Sequence, residues 1–159
     1  ASAKVDSDIG WNDTAPTATV FSVKTDDSTN DSSETFIAYC FHSVEGYSRM
    51  NLYEGNNAAH SGPFVNTGFS PAFVMIKNID ATADWIIVDV VRKPLNISQE
   101  SHTIAANSGS AEVTSATTNT IDILSNGFQM RNANVSSNDS NTYIYIAFAE
   151  TPFKYSNAR

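Results

Sequence analysis

Residues 142–150, TYIYIAFAE, constrain the fold more than any other stretch of the chain. Side chains of an extended strand alternate between its two faces. Tyr143, Tyr145 and Ala147 therefore fall on one face, and Ile144, Ile146 and Phe148 on the other. Both faces are apolar, whereas a strand with one wet face shows polar residues there. Such a strand belongs inside a sheet, with both sides covered. Continuous apolar strands also fill ordinary sandwich cores, so the second cover is either internal to the fold or a further module or subunit.

The rest of the chain repeats this strand character in short pieces. Strand-like runs occupy 19–25, 35–42, 49–55, 71–78, 84–91, 120–125, 127–132 and 142–150. Polar turn clusters separate them, at 26–33, 55–62, 78–84 and 132–141. No window carries a sustained helical period. Strands of this length and spacing predict an all-β fold, an antiparallel β-sandwich of jelly-roll type.

A weak internal repeat adds to this. SAKVDS (2–7) aligns with SAEVTS (110–115) at an offset of 108. VFSVKTDDSTNDSSETFIAYCF (20–41) aligns with GFQMRNANVSSNDSNTYIYIAF (127–148) at an offset of 107. Phe21 matches Phe128, Thr35 matches Thr142, Ile37 matches Ile144 and Phe41 matches Phe148. The implied unit has a first half at 49–109 and a second half at 110–155. Residues 1–48 are then expected to be the second half of an incomplete unit packing on the rest, and 49–159 a complete sandwich. The runs 35–41 and 142–148 become equivalent central strands. The residues expected at an assembly interface are Phe36, Tyr39, Phe41, Tyr143, Ile144, Tyr145 and Phe148.

Composition narrows the function classes. Apolar residues make up 41% of the 159 residues and charged residues 16%, which suits a globular domain with a real core. The net charge of −8, with nine scattered Lys and Arg, gives no electrostatic footing for nucleic acid or an anionic membrane surface. No run is long enough to span a bilayer as a helix, so no membrane insertion is expected. The opening ASAKVDSD lacks the basic and apolar regions of a signal peptide. The single cysteine, Cys40, has no internal disulfide partner and reads as a small buried hydrophobe.

Catalytic and metal patterns are poor. His42, His60 and His102 are far apart and lack ligand spacing, so neither metal nor cofactor is expected. No nucleophile elbow or phosphate loop occurs. The acidic stretch DDSTND (26–31) lacks the glycine and distal glutamate of a calcium loop and reads as a solvated hairpin turn. Asp84, Asp89, Glu45 and Glu54 are the candidates for a glycosidase acid pair, without evidence of a cleft. Trp85 and Asp89 share a strand face and form a candidate sugar platform, against the plainer reading of a core tryptophan at a sheet edge. Five N-x-S/T sequons, at Asn12, Asn30, Asn96, Asn134 and Asn138, are expected from composition alone.

Longer phrases carry a resemblance. WNDTAPTATVFSV (11–23), TFIAYCFHSVEGYSRMNLYEGN (35–56), GPFVNTGFSPAFVMIKN (62–78), ILSNGFQMRN (123–132) and TYIYIAFAETPFKYSNAR (142–159) resemble bacteriophage structural proteins described as tail-fibre or virion proteins. These are common in phages of marine and aquatic bacteria, and some carry such units in tandem. Local departures are His42-Ser43, where relatives tend to have Ala-Glu, and the varied turn RMNLYEGN. The resemblance implies a non-enzymatic virion protein in a tail fibre or similar appendage, made in the bacterial cytoplasm. It implies homotrimers, contacts with other virion proteins and adhesion to a host surface glycan. The alternatives are a capsid decoration or head-fibre protein, and a carbohydrate-binding module.

Overall fold

The computed structural model describes residues 8–93, 96, 100–114 and 120–153. The chain divides into two compact units, with the division between Cys40 and Phe41.

The larger unit is the all-β, sandwich-like fold that the sequence predicts. Its strands are β1 (Ser48–Glu54), β2 (Phe64–Asn66), β3 (Pro71–Asn78), β4 (Trp85–Asp89), β5 (Ile104–Ala105), β6 (Ile121–Leu124), β7 (Gly127–Met130) and β8 (Thr142–Ala149). They form a five-stranded sheet of order β1-β8-β3-β4-β5 and a three-stranded sheet of order β2-β7-β6. All the pairings are antiparallel. The sequence locates six of these strands to within about two residues. It misses β2 and β5, which are three and two residues long and too short to show an alternating pattern.

β8 is an interior strand, as its composition requires. It pairs with β1 on one side and β3 on the other, with Ile146 opposite both Met50 and Met75. Its burial alternates along its whole length. Tyr143, Tyr145 and Ala147 face the three-stranded sheet and join Tyr53, Val74, Ile76, Ile86 and Val88 in one core. The smaller sheet contributes Val65, Ile121, Phe128 and Met130. Tyr53 stacks on Tyr143 at 5.0 Å, and Phe128 meets Tyr145 edge-on at 5.3 Å, both favoured ring geometries. Gly127 is required where β7 passes β2, because a Cβ there would lie 2.1 Å from the Val65 carbonyl oxygen.

The tyrosine hydroxyls are satisfied by the polar turn at one end of the sandwich. The Tyr53 hydroxyl donates to the Ser137 carbonyl at 2.6 Å, and that of Tyr143 to the Val135 carbonyl at 3.1 Å. Asn138 is wholly buried beneath the same turn. Its Nδ2 donates to the carbonyls of Asn132 (2.9 Å) and Ala58 (3.1 Å), and its Oδ1 accepts from the Asn56 amide (2.9 Å). The asparagine-rich sequence of 132–141 thus supplies hydrogen-bond partners to a buried end of the core.

The smaller unit departs from expectation. The strand-like runs 19–25 and 35–42 form no strand. The regular elements described there are two single-turn helices, α1 (Asp8–Trp11) and α2 (Asp27–Asn30). The acidic stretch 26–31 is therefore a helical turn, and not a hairpin, with the Asp26 carboxylate accepting from the Ser28 amide as N-cap. Cys40 is exposed and not buried. A strand needs ladder partners, and among the described residues of this unit the stretch 35–40 has none, which leaves it irregular and Cys40 exposed.

Candidate functional site

The outer face of the five-stranded sheet is the feature that an isolated domain does not explain. Residues paired across the ladder share a face, so the register defines that surface. β8 contributes Ile144, Ile146 and Phe148, and β1 contributes Met50 and Leu52 beside them. β3 adds Phe73 and Met75, β4 adds Trp85 and Ile87, and β5 adds Ile104. These side chains are half-buried by one another, except Leu52, which is 52% exposed. A solvated sheet face ordinarily alternates to polar residues. Here apolar side chains run across all five strands, with Ser48, Glu54, Lys77, Asp89 and Thr142 at the ends of the strands.

Lys77, the basic residue of that face, does not break it. Its stem lies buried along the sheet and its Nζ turns to the carbonyls of Asn78 and Ala81. Burial lowers its pKa below the usual lysine value, with the nearby Asp84 carboxylate acting in the opposite sense.

One end of the face carries an aromatic cluster. Phe148 contacts Phe41 at 6.1 Å, Tyr47 at 6.0 Å and Phe73 at 6.0 Å. Tyr47 also stacks on Phe153 at 5.5 Å. The turn preceding β1 delivers Phe41 and Tyr47. Gly46 adopts φ +71°, a conformation open to glycine, and its carbonyl accepts from the Phe153 amide at 2.9 Å. The Ala149 amide donates to the Tyr47 carbonyl at 2.8 Å. Ser43 Oγ accepts from the Met50 amide and donates to the Met50 carbonyl, capping part of the outer edge of β1. That cap occupies the edge-facing backbone groups of Met50 in β1.

The predicted interface residues separate accordingly. Phe41, Ile144 and Phe148 lie on the outer face. Tyr143 and Tyr145 do not: they are core residues of their own sandwich, because the odd-numbered face of β8 is the inward one. Burial raises the pKa of all three core tyrosines above 10.0, most for Tyr53, where proximity to Tyr143 adds to it. Phe36 and Tyr39 lie exposed in the smaller unit.

Trp85 and Asp89 sit at opposite ends of β4, about 13 Å apart along the strand. The Asp89 carboxylate accepts from the amides of Val91 (3.0 Å) and Arg92 (2.9 Å) and pairs with the Arg92 guanidinium. Burial alone would raise its pKa, but these donors hold it below the usual aspartate value. Its oxygens are committed to that turn, away from Trp85. Among the sequon residues, Asn138 is buried and engaged at both ends of its amide.

Other clusters are structural. His102 lies between Glu100 (3.2 Å) and Glu112 (3.4 Å) on the surface. A groove lined by Ser70, Val90, Lys93, Asn96, Ile123 and Glu150 holds a lysine whose Nζ donates to the Glu100 and Ile121 carbonyls, both at 2.9 Å. Among the described residues no group of His, Cys, Asp and Glu is placed to hold a metal ion, and no helix is long and apolar enough to cross a membrane.

The outer face was partly legible beforehand, through Ile144, Ile146 and Phe148. Its extension over β1, β3, β4 and β5 was not, because it depends on the register between strands. No curated protein and no solved structure matches the chain. A family described as a domain of unknown function, DUF7483, matches residues 1–152, a span that includes both compact units. The chain belongs to the DUF7483 family.

Proposed function

We propose that this chain is a non-enzymatic assembly module, one building part of a phage appendage such as a tail fibre. The observation that carries the reading is the apolar outer face of the five-stranded sheet, continuous from Leu52 on β1 to Ile104 on β5. Covering Leu52, 52% exposed, contributes about 1 kcal/mol, and each of the partly covered side chains beside it adds less. Their sum over one surface favours association. An exposed patch of this kind marks an interaction site. The resemblance to phage structural proteins supplies the setting: self-association, expected as homotrimers, on the surface of a virion, with exposed turns left to meet other virion proteins or a host glycan.

The test uses Leu52→Asp, which alters the most exposed residue of the face. Sedimentation equilibrium should show the wild-type chain as a concentration-dependent oligomer. The variant should be a monomer with an unchanged circular dichroism spectrum. A wild-type chain that stays monomeric at every concentration, or a variant that associates as well as wild type, would overturn the assembly reading. Antibody labelling of phage particles in the electron microscope tests the setting separately, with an appendage as the expected location.

A further inference from the structure

The two aligned stretches of the chain have one pattern and opposite fates. In the second, Phe128 of β7 and Tyr143 of β8 are 0% exposed. Their counterparts at the offset of 107, Phe21 and Phe36, are 45% and 43% exposed. Met130, Tyr145 and Ala147 are buried, whereas Val23, Ala38 and Cys40 are exposed. The difference lies in what surrounds each stretch. β8 is flanked by β1 and β3, and β7 by β2 and β6. Three of those four neighbours come from the first half of the unit. Among the described residues, 20–40 form no ladder within their unit, and every residue from Phe36 to Cys40, from both alternating sets, lines an open groove of about 730 Å³ with Trp11, Phe21 and Val23.

We infer that residues 20–41 are the β7–β8 half of a second sandwich, and that their binding partner is the first half of another module of this family, a segment resembling residues 44–109. The larger unit shows how the partner docks. Its β1-like and β3-like strands flank 35–41, turning Phe36, Ala38 and Cys40 inward, while Val20, in the place of Gly127, leaves no room for a close β2-like strand beside it. Ile37, Tyr39 and Phe41 then lie on the outer face, in the places of Ile144, Ile146 and Phe148. The segment 35–41 becomes a strand because it gains two ladders of backbone hydrogen bonds, which it lacks alone. The inferred partner is a further first half, because the one in the larger unit is already paired with β7 and β8. This rests on the assembly reading, but uses a surface distinct from the outer face of the existing sandwich.

The chain supplies its own probe. Residues 44–109 are fused ahead of Ser2, reproducing the junction that precedes Ser110. The fused chain is otherwise native, and the rate of Cys40 alkylation is compared with that in the unfused chain. The expected result is a slowing of about 100-fold or more, as for a thiol reached only through local unfolding. New hydrogen-exchange protection should appear at 35–41. Introducing Phe36→Asp into the fused chain should restore rapid labelling. Rapid labelling of Cys40 while 142–149 remain protected would overturn the inference. So would slowing that survives Phe36→Asp, since that would mean unspecific burial. Both readouts are independent of Leu52, so failure here leaves the outer-face test standing.

Discussion

Phe148 and Leu52 lie on one sheet face but have different tasks, and substituting each by alanine separates them. Phe148 packs on Phe41, Tyr47 and Phe73 within its own unit. Truncating a fully buried Phe costs about 3–5 kcal/mol. Phe148 is half-buried, so the area contribution falls to about 2 kcal/mol, and three aromatic contacts at the low end of their range add about 1.5 kcal/mol. Phe148→Ala should therefore destabilise the sandwich by about 3 kcal/mol, a large part of the 5–15 kcal/mol typical of a domain. In urea this moves the unfolding midpoint down by about 1–2 M at unchanged slope. Leu52 makes none of those ring contacts, and Leu52→Ala should cost under about 1 kcal/mol while weakening association. Urea titration by circular dichroism, run at a dilution where the chain is dissociated, measures both. Equal and small losses for the two variants would refute the claim that the aromatic cluster fastens the 41–47 turn to β8.

Asn138→Ala removes the donor to the buried Asn132 carbonyl and the part-buried Ala58 carbonyl and the acceptor of the Asn56 amide; it should destabilise the unit by about 2–3 kcal/mol, read as a lowered urea midpoint. High pH should unfold the sandwich through its core tyrosines. Tyr53, Tyr143 and Tyr145 have folded pKa values above the ordinary 10.0, so the neutral forms favour the fold, fully so below pH 10. That contribution is lost as pH climbs from 10 toward the raised values. The tyrosinate absorbance of Tyr53, Tyr143 and Tyr145 should thus appear only with loss of the circular dichroism signal. Complete ionisation in a folded chain would contradict it.

The sequence reveals strands wherever alternation is long enough, and β1, β3, β4, β6, β7 and β8 are all visible there. It reveals less about whether a strand-like run finds partners. TFIAYCF and TYIYIAF have nearly the same pattern, yet 142–148 lies inside a five-stranded sheet, paired on both sides, and 35–41 forms no ladder. Pairing is a tertiary property, and local propensity cannot supply the missing neighbour. The inward or outward sense of a two-faced apolar strand is equally hidden. Tyr143 and Ile144 are equivalent candidates in sequence, and only the position of the three-stranded sheet decides that the tyrosine is core. The breadth of the outer face follows from register, which aligns Met50, Ile146, Met75, Ile87 and Ile104 across five strands.

The methionines offer the most direct measurement of whether that face is covered on assembly. Met50 and Met75 lie on it, half-buried, and Met130 lies in the core. Methionine oxidation, followed by mass spectrometry over a range of protein concentrations, compares them in one sample. The account predicts that Met50 and Met75 become protected as the chain associates, while Met130 is protected throughout. Oxidation of Met50 and Met75 at one constant rate across the transition to oligomer would contradict it.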